Sequence, residues 1–227
     1  MKPTLLLATL LGALSLPGAV IYQQNFEAGG ALPAGWTGAG AIETTGGLSA
    51  FGFGANHLRN DNQATSVLTL TGLAAHSTLT LSFDLALWDS VDLGDDFLTL
   101  KANSVDLISA FIPIGNYSPA DNLGVGPGTL LTPAFTAFAL PNFGYNPQFR
   151  DSARRISSIT FSHTASSVVF AFAFSTSQTD LDESFGIDNI VVESNTDAAN
   201  PAGIPEPSTF VLAAGALVTL ITLRRKK

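Results

Sequence analysis

The sequence predicts an all-β protein, an antiparallel β-sandwich of the jelly-roll type, preceded by a signal peptide and followed by one transmembrane helix. Three observations carry this. Large apolar residues alternate strictly with small or polar ones in several segments, the period of a strand buried on one face. Gly and Pro, 21 and 12 of 227 residues, punctuate the chain at short intervals. No part of the body shows a convincing amphipathic helical period, so no helices are available to cover a sheet and two sheets must cover each other.

The elements follow in order. Met1-Lys2, the apolar run Leu5 to Leu16 and the small pair Gly18-Ala19 have the layout of a secretory signal peptide over 1–19. Cleavage after Ala19 would free Val20; Pro17 is a poor cleavage residue, and Ser15 with Ala13 forms a competing site. The sandwich domain is expected over 20–195, enough chain for one sizeable core. Its clearest strand is Leu79 to Leu87, where Leu79, Leu81, Phe83, Leu85 and Leu87 share one face. Val168, Phe170, Phe172 and Phe174 repeat the pattern, as do Ile159 and Phe161. Further strands are expected at Ile21 to Glu27, Ser66 to Leu70, Phe97 to Lys101, Val105 to Ile108 and Ser184 to Glu193. Gly29 to Gly54 and Pro113 to Pro147 read as long surface loops with short strands embedded. Residues 196–204 form a polar linker.

Composition narrows the function classes. With no cysteine there are no disulfides, thiol nucleophiles or thiolate metal sites. Loss of Lys2 and the four terminal cations would leave 5 basic residues against 18 acidic ones, a net charge of about −13. Such a surface repels nucleic acid and favours cations. The remaining basic cluster, Arg150, Arg154 and Arg155, reads as a solvated loop face.

The densest chemistry runs from Leu87 to Phe97 and contains Asp89, Asp92, Asp95 and Asp96 around Gly94. Carboxylates this close repel unless solvated or neutralised, and a loop between strands could fold them around an oxygen-seeking ion such as Ca2+. The spacing is not that of an EF-hand. The alternative is an acidic hairpin turn in which Asp95 and Asp96 cap the next strand. Alternation puts Asp188 on the side of Ile190 and Val192, where a carboxylate needs a partner or a strand-end position. Trp36 and Trp88 are candidate sugar-stacking platforms, although Trp88 extends a core strand. His57, His76 and His163 have no metal-ligand spacing and read as surface or turn residues. No nucleophile elbow or phosphate loop is present, so no catalytic residue is assigned, although two acids spaced for glycoside hydrolysis stay open.

The C-terminus is the most specific stretch. Pro205-Glu206-Pro207 precedes an apolar run over 209–223 and the basic tail Arg224-Arg225-Lys226-Lys227. The run would rise about 22 Å as a helix, short of a bilayer core unless its ends snorkel, and the one-sided cations orient it with the body outside the cytoplasm. The order of these elements resembles the PEP-CTERM sorting signal of Gram-negative bacteria. That resemblance implies that an exosortase, a membrane-embedded cysteine protease, recognises Pro205, Glu206 and Pro207 after export through the secretion translocon, and removes the tail. The helix would then be a transient inner-membrane anchor. Asn25-Phe26-Glu27, Leu32 to Trp36, Phe83-Asp84 through Asp89 to Asp96-Phe97, and Phe185 to Ile190 resemble the jelly-roll domains found ahead of such anchors and in extracellular carbohydrate-binding modules. Members of that group commonly carry a structural calcium joining the first and last strands, which implies Glu27 and Asp188 as ligands. The expected function is a non-catalytic surface or matrix protein that binds carbohydrate or exopolysaccharide. A structural matrix or adhesion protein is the alternative, and a secreted glycoside hydrolase the third reading.

Overall fold

The computed structural model describes residues 18–44, 47–61, 63–89, 91, 96–111, 129–131, 146, 151–175, 178 and 183–195. The signal segment up to residue 17, the linker, Pro205 to Pro207, the 209–223 run and the basic tail lie outside them, as do Asp92, Asp95, Arg150 and most of Pro113 to Pro147. No helix among the described residues is long and apolar enough to cross a membrane.

Among the described residues, twelve strands form two antiparallel sheets. In chain order they are β1 (Ala19–Gln24), β2 (Trp36–Gly38), β3 (Ala41–Thr44), β4 (Asn56–Asn60), β5 (Thr65–Thr71), β6 (Thr78–Asp89), β7 (Phe97–Ala102), β8 (Val105–Phe111), β9 (Thr129–Leu130), β10 (Ser152–Ser162), β11 (Ser167–Ser175) and β12 (Glu183–Ser194). Sheet A runs β3-β4-β12-β6-β10-β9, with β1 also on β12; sheet B runs β2-β5-β11-β7-β8. The chain steps from sheet to sheet between β1 and β2, β2 and β3, β4 and β5, β5 and β6, β6 and β7, β8 and β9, β10 and β11, and β11 and β12, wrapping two layers around one core.

The alternation seen in the sequence builds that core. Leu79, Leu81, Phe83, Leu85 and Leu87 of β6 meet Val168, Phe170, Phe172 and Phe174 of β11, all at most 2% exposed. Each such side chain contributes about 1.5–3 kcal/mol by leaving water. Aromatic edges lock the layers: Phe83 meets Phe172 edge-on at 5.4 Å and Phe174 meets Phe185 at 4.4 Å.

Two departures from alternation set the site. In β12, Ile187 and Ile190 both enter the core, and the register slips between Asp188 and Val191 around Asn189, whose φ is 49°. In β10, the slip lies between Ile156 and Ile159 around Ser158, φ 59°. These bulges flank β6 at the level of Ser82 to Asp84, one on each side. The first overturns the expected orientation of Asp188. It shares the outer face of sheet A with its partner Asp84, opposite Ile187 and Ile190.

Part of that outer face, around Ala86, Trp88 and Ala153, is covered. A 3-10 turn at Leu48–Phe51 lies within the Gly29 to Gly54 stretch, together with β2 and β3. Leu48 and Phe53 pack with Ala86, Trp88 and Ala153 into a second, small apolar cluster.

Candidate functional site

The site forms where two strands share one edge of β12. β4 pairs with Phe185 to Ile187 and β1 with Ile190 to Ser194, leaving Asp188 and Asn189 between them. Into this gap come Asn25, Phe26 and Glu27 from the end of β1, and Gly54 and Asn56 from the approach to β4. Phe26 adopts φ 56°, which turns the chain; its ring is buried edge-on to Trp36 at 5.5 Å. The Glu27 carboxylate accepts the Asn56 N–H at 3.2 Å, and Gly54 N–H donates to Asp188 Oδ2 at 2.9 Å. Gly54 is needed by this close approach, because a Cβ there would collide with Glu27 Oε1.

Beside it, Arg155 clamps Asp84 with two hydrogen bonds of 2.8 Å, a bidentate ion pair. The Asn189 amide donates to Asp84 Oδ2 at 2.8 Å and to the Gly52 carbonyl at 2.7 Å, while its backbone N–H donates to Asp188 Oδ1 at 2.7 Å. Burial pushes the Asp188 carboxyl up to about 6, and the neighbouring charges of Glu27 and Asp84 act in the same direction against the Gly54 and Asn189 N–H groups. Arg155 is held above its ordinary value by Asp84.

The expected calcium set is divided. Glu27 and Asp188 do come together, but Asp89 lies five residues beyond Asp84 on β6, about 17 Å along the strand. There Asp89 is fully buried opposite Glu183. Its φ of 65° turns the strand end, its N–H donates to Asp151 Oδ1 at 2.8 Å, and its Oδ1 accepts from Asn146 N–H at 2.9 Å. Glu183 accepts from Gln178 N–H at 2.9 Å. Asp96 is buried as well. Among the described residues no three acidic or histidine side chains converge on one cation position. Asp89 thus bonds to the backbone of a neighbouring segment, and of the expected set Glu27 and Asp188 are the two that approach each other, with burial the main cause of the raised Asp188 value.

Three other expectations are corrected. Trp36 and Trp88 are 5% and 0% exposed and offer no sugar-stacking face. Trp36 stacks on Phe172 at 5.8 Å and donates its indole N–H to the Tyr22 hydroxyl at 2.7 Å, and Trp88 lies against His57 at 5.3 Å. Arg154 and Arg155 sit on β10, the first buried and the second paired, so they form no solvated loop. All three histidines are buried. His57 lies over Gly186, where a Cβ would strike its ring, and burial followed by the Arg59 charge lowers its pKa to about 3.

Sequence reasoning missed a cleft beside the bulge. Gln23, Gln24, Asn25, Asn189, Ile190 and Val191 line a cavity of about 300 Å³. Gln24 Oε1 accepts the Phe26 N–H and Asn25 Oδ1 the Glu27 N–H, and the Gln24 side chain also bonds the Tyr22 hydroxyl, so both amides are held in place at the cleft. The run of three amides at 23–25 was the available signal.

No protein-family model matches this chain, and no curated protein does. Solved structures with a similar arrangement include the K1 cleaved adhesin domain of Lys-gingipain from Porphyromonas gingivalis W83. It is 12% identical over 76% of this chain and 97% of that one, with a TM-score of 0.44. Others are the CBM22-1 xylan-binding domain of Paenibacillus barcinonensis Xyn10C (12% identical, 78% and 95% covered, TM-score 0.35) and TmCBM61 in complex with β-1,4-galactotriose (9% identical, 75% and 94% covered, TM-score 0.36). At these scores the likeness transfers no function to this chain.

Proposed function

We propose that this chain is an exported surface or matrix protein whose β-sandwich binds neutral carbohydrate or exopolysaccharide without catalysis. The amide-lined cleft carries the reading. Side-chain amides offer paired donors and acceptors to vicinal hydroxyls, and the cleft's volume of about 300 Å³ suits one or two sugar rings. The buried carboxylates are occupied elsewhere: Asp84 by Arg155, Asp89 and Glu183 by backbone N–H groups. Glu27 and Asp188 would hold a calcium ion, which would supply positive charge between an exposed and a buried carboxylate and tie the turn after β1 to β12. Delivery would follow the sorting signal: Pro205, Glu206 and Pro207 read by an exosortase, and the 209–223 helix holding the precursor in the inner membrane.

The test is a glycan array on the purified chain, followed by titration of Gln23→Ala/Asn25→Ala. Affinity should fall about tenfold at unchanged melting temperature, as expected for two lost hydrogen bonds of about 0.5–1.5 kcal/mol each. Undiminished binding in that variant, or no glycan bound at all, removes the proposal. Mass spectrometry of the C-terminus of cell-derived protein tests the sorting route, which predicts an end near residue 207.

The structural or adhesive reading has its own support in sheet B, whose outer face leaves Phe97 and Val169 40% and 38% exposed. Concentration-dependent self-association with and without calcium, in sedimentation, would favour it.

A further inference from the structure

At the other end of the sandwich from the start of β12, His76, His163 and Asn103 form one chain of hydrogen bonds across three separate turns. His76 Nδ1 lies 2.6 Å from the Ala74 carbonyl. A carbonyl only accepts, so Nδ1 carries the proton and His76 Nε2 bears the lone pair. That lone pair faces His163 Nδ1 at 2.7 Å, so His163 is also protonated at Nδ1. Its Nε2 is then the acceptor for the Asn103 amide at 3.1 Å. The Asn103 orientation is fixed independently, because its Oδ1 accepts the Val169 N–H at 2.9 Å. Every donor points the same way, and both rings must be neutral.

We propose that this pair is an acid-sensitive latch on the end of the domain where β12 leaves it. A proton added to His76 sets an N–H against the His163 N–H across 2.7 Å, and one added to His163 sets an N–H against the Asn103 NH2 group. Either addition breaks the chain. The rings are 6% and 9% exposed, too little for water to replace the lost bonds. Phe161 packs edge-on against His163 at 6.1 Å, and the charge acting on His163 is that of His76. On the hairpin carrying Asn103, Lys101 and Asp106 pair with each other at 3.2 Å. Burial, then the His76 charge, lower the His163 pKa despite a Ser167 backbone bond.

The latch reaches the exit through Ser77 and Thr78. His163 N–H donates to the Ser77 carbonyl at 2.9 Å. The N–H groups of Ser77 and Thr78 converge on Asn195 Oδ1 at 3.1 and 2.6 Å, and the Asn195 amide returns a bond to Ser77 Oγ at 2.7 Å. Asn195 is the residue after β12, so opening of the 72–78 turn frees the departing chain.

Because the folded pKa of His163 lies below the ordinary value, the open form takes up protons first. Closure is fully present above about pH 6.5 and weakens as pH falls toward the folded value. Hydrogen exchange on the full chain, corrected for intrinsic rates, should show protection in 72–78, 101–106, 163–169 and 190–195 falling about tenfold or more between about pH 7.5 and about pH 5. Protection in the middle of β6 should hold. His163→Gln and His76→Gln should each abolish that pH dependence, whatever their effect at neutral pH. Should either variant fail to fold, nitrogen-15 shifts of the wild-type imidazoles decide: both rings Nδ1-protonated at neutral pH supports the latch. Another tautomer in either ring, or protection independent of pH, overturns it.

Discussion

Asp84 and Asp188 face each other across β6 and β12, and five residues further along the same two strands so do Asp89 and Glu183. All four are fully buried, yet their surroundings differ. The end-of-strand carboxylates accept the backbone N–H groups of Asn146 and Gln178, and the Asp89 N–H donates to the Asp151 carboxylate, so these acids hold a strand terminus together. The mid-strand pair divides its burden unequally: Asp84 takes the guanidinium and the Asn189 amide, while Asp188 is left with two backbone N–H groups and a like charge at Glu27. Acid density in a sequence therefore does not locate a cation. The surroundings of each carboxylate have to be read from the fold, and the proposed calcium position at Glu27 and Asp188 rests on the bulge, outside the acidic run.

Breaking the mid-strand pair should have the largest effect. Arg155→Ala leaves Asp84 buried without its cation and should cost about 3 kcal/mol in urea denaturation. Next, calcium at a hundredfold excess over its dissociation constant should raise stability by about 2.7 kcal/mol. That gain should vanish in Asp188→Asn and survive in Asp89→Asn, and the reverse pattern would move the cation to the strand end. Asp89→Ala should cost about 2 kcal/mol through its charged bonds to backbone, with no change in calcium response. The gentlest signal is a pH slope without metal. With a folded pKa near 6 above the ordinary 3.8, Asp188 favours the native state fully below about pH 3.8 and loses that advantage as pH rises through 6. The wild-type minus Asp188→Asn stability difference should thus decline over that window; a rising difference would show Asp188 already compensated.

Much of the layering was legible, because period 2 survives wherever a strand buries one face: β6, β11 and most of β5, β7 and β12 were read from it directly. β4 was not, since Asn56-His57-Leu58-Arg59-Asn60 carries His57 and Arg59 on a polar outer face that is itself buried, against Trp88 and Ser184. His57 and Arg154 were misread because outward-facing positions of these strands are buried, which strand alternation does not encode. Asp188 was recognised as needing a partner but assigned to the wrong face, because a positive φ at Asn189 resets the alternation and asparagine is no certain sign of it. The cleft escaped notice for the same reason: it exists because of that bulge.

The strand that joins sheet A together is the last of the described strands in chain order. β12 bonds to β1, β4 and β6, so until residue 194 has emerged the first strand, the fourth and the sixth have no common neighbour. Vectorial emergence of the chain accordingly leaves sheet A without its central strand until late, so the closure of that sheet waits on β12.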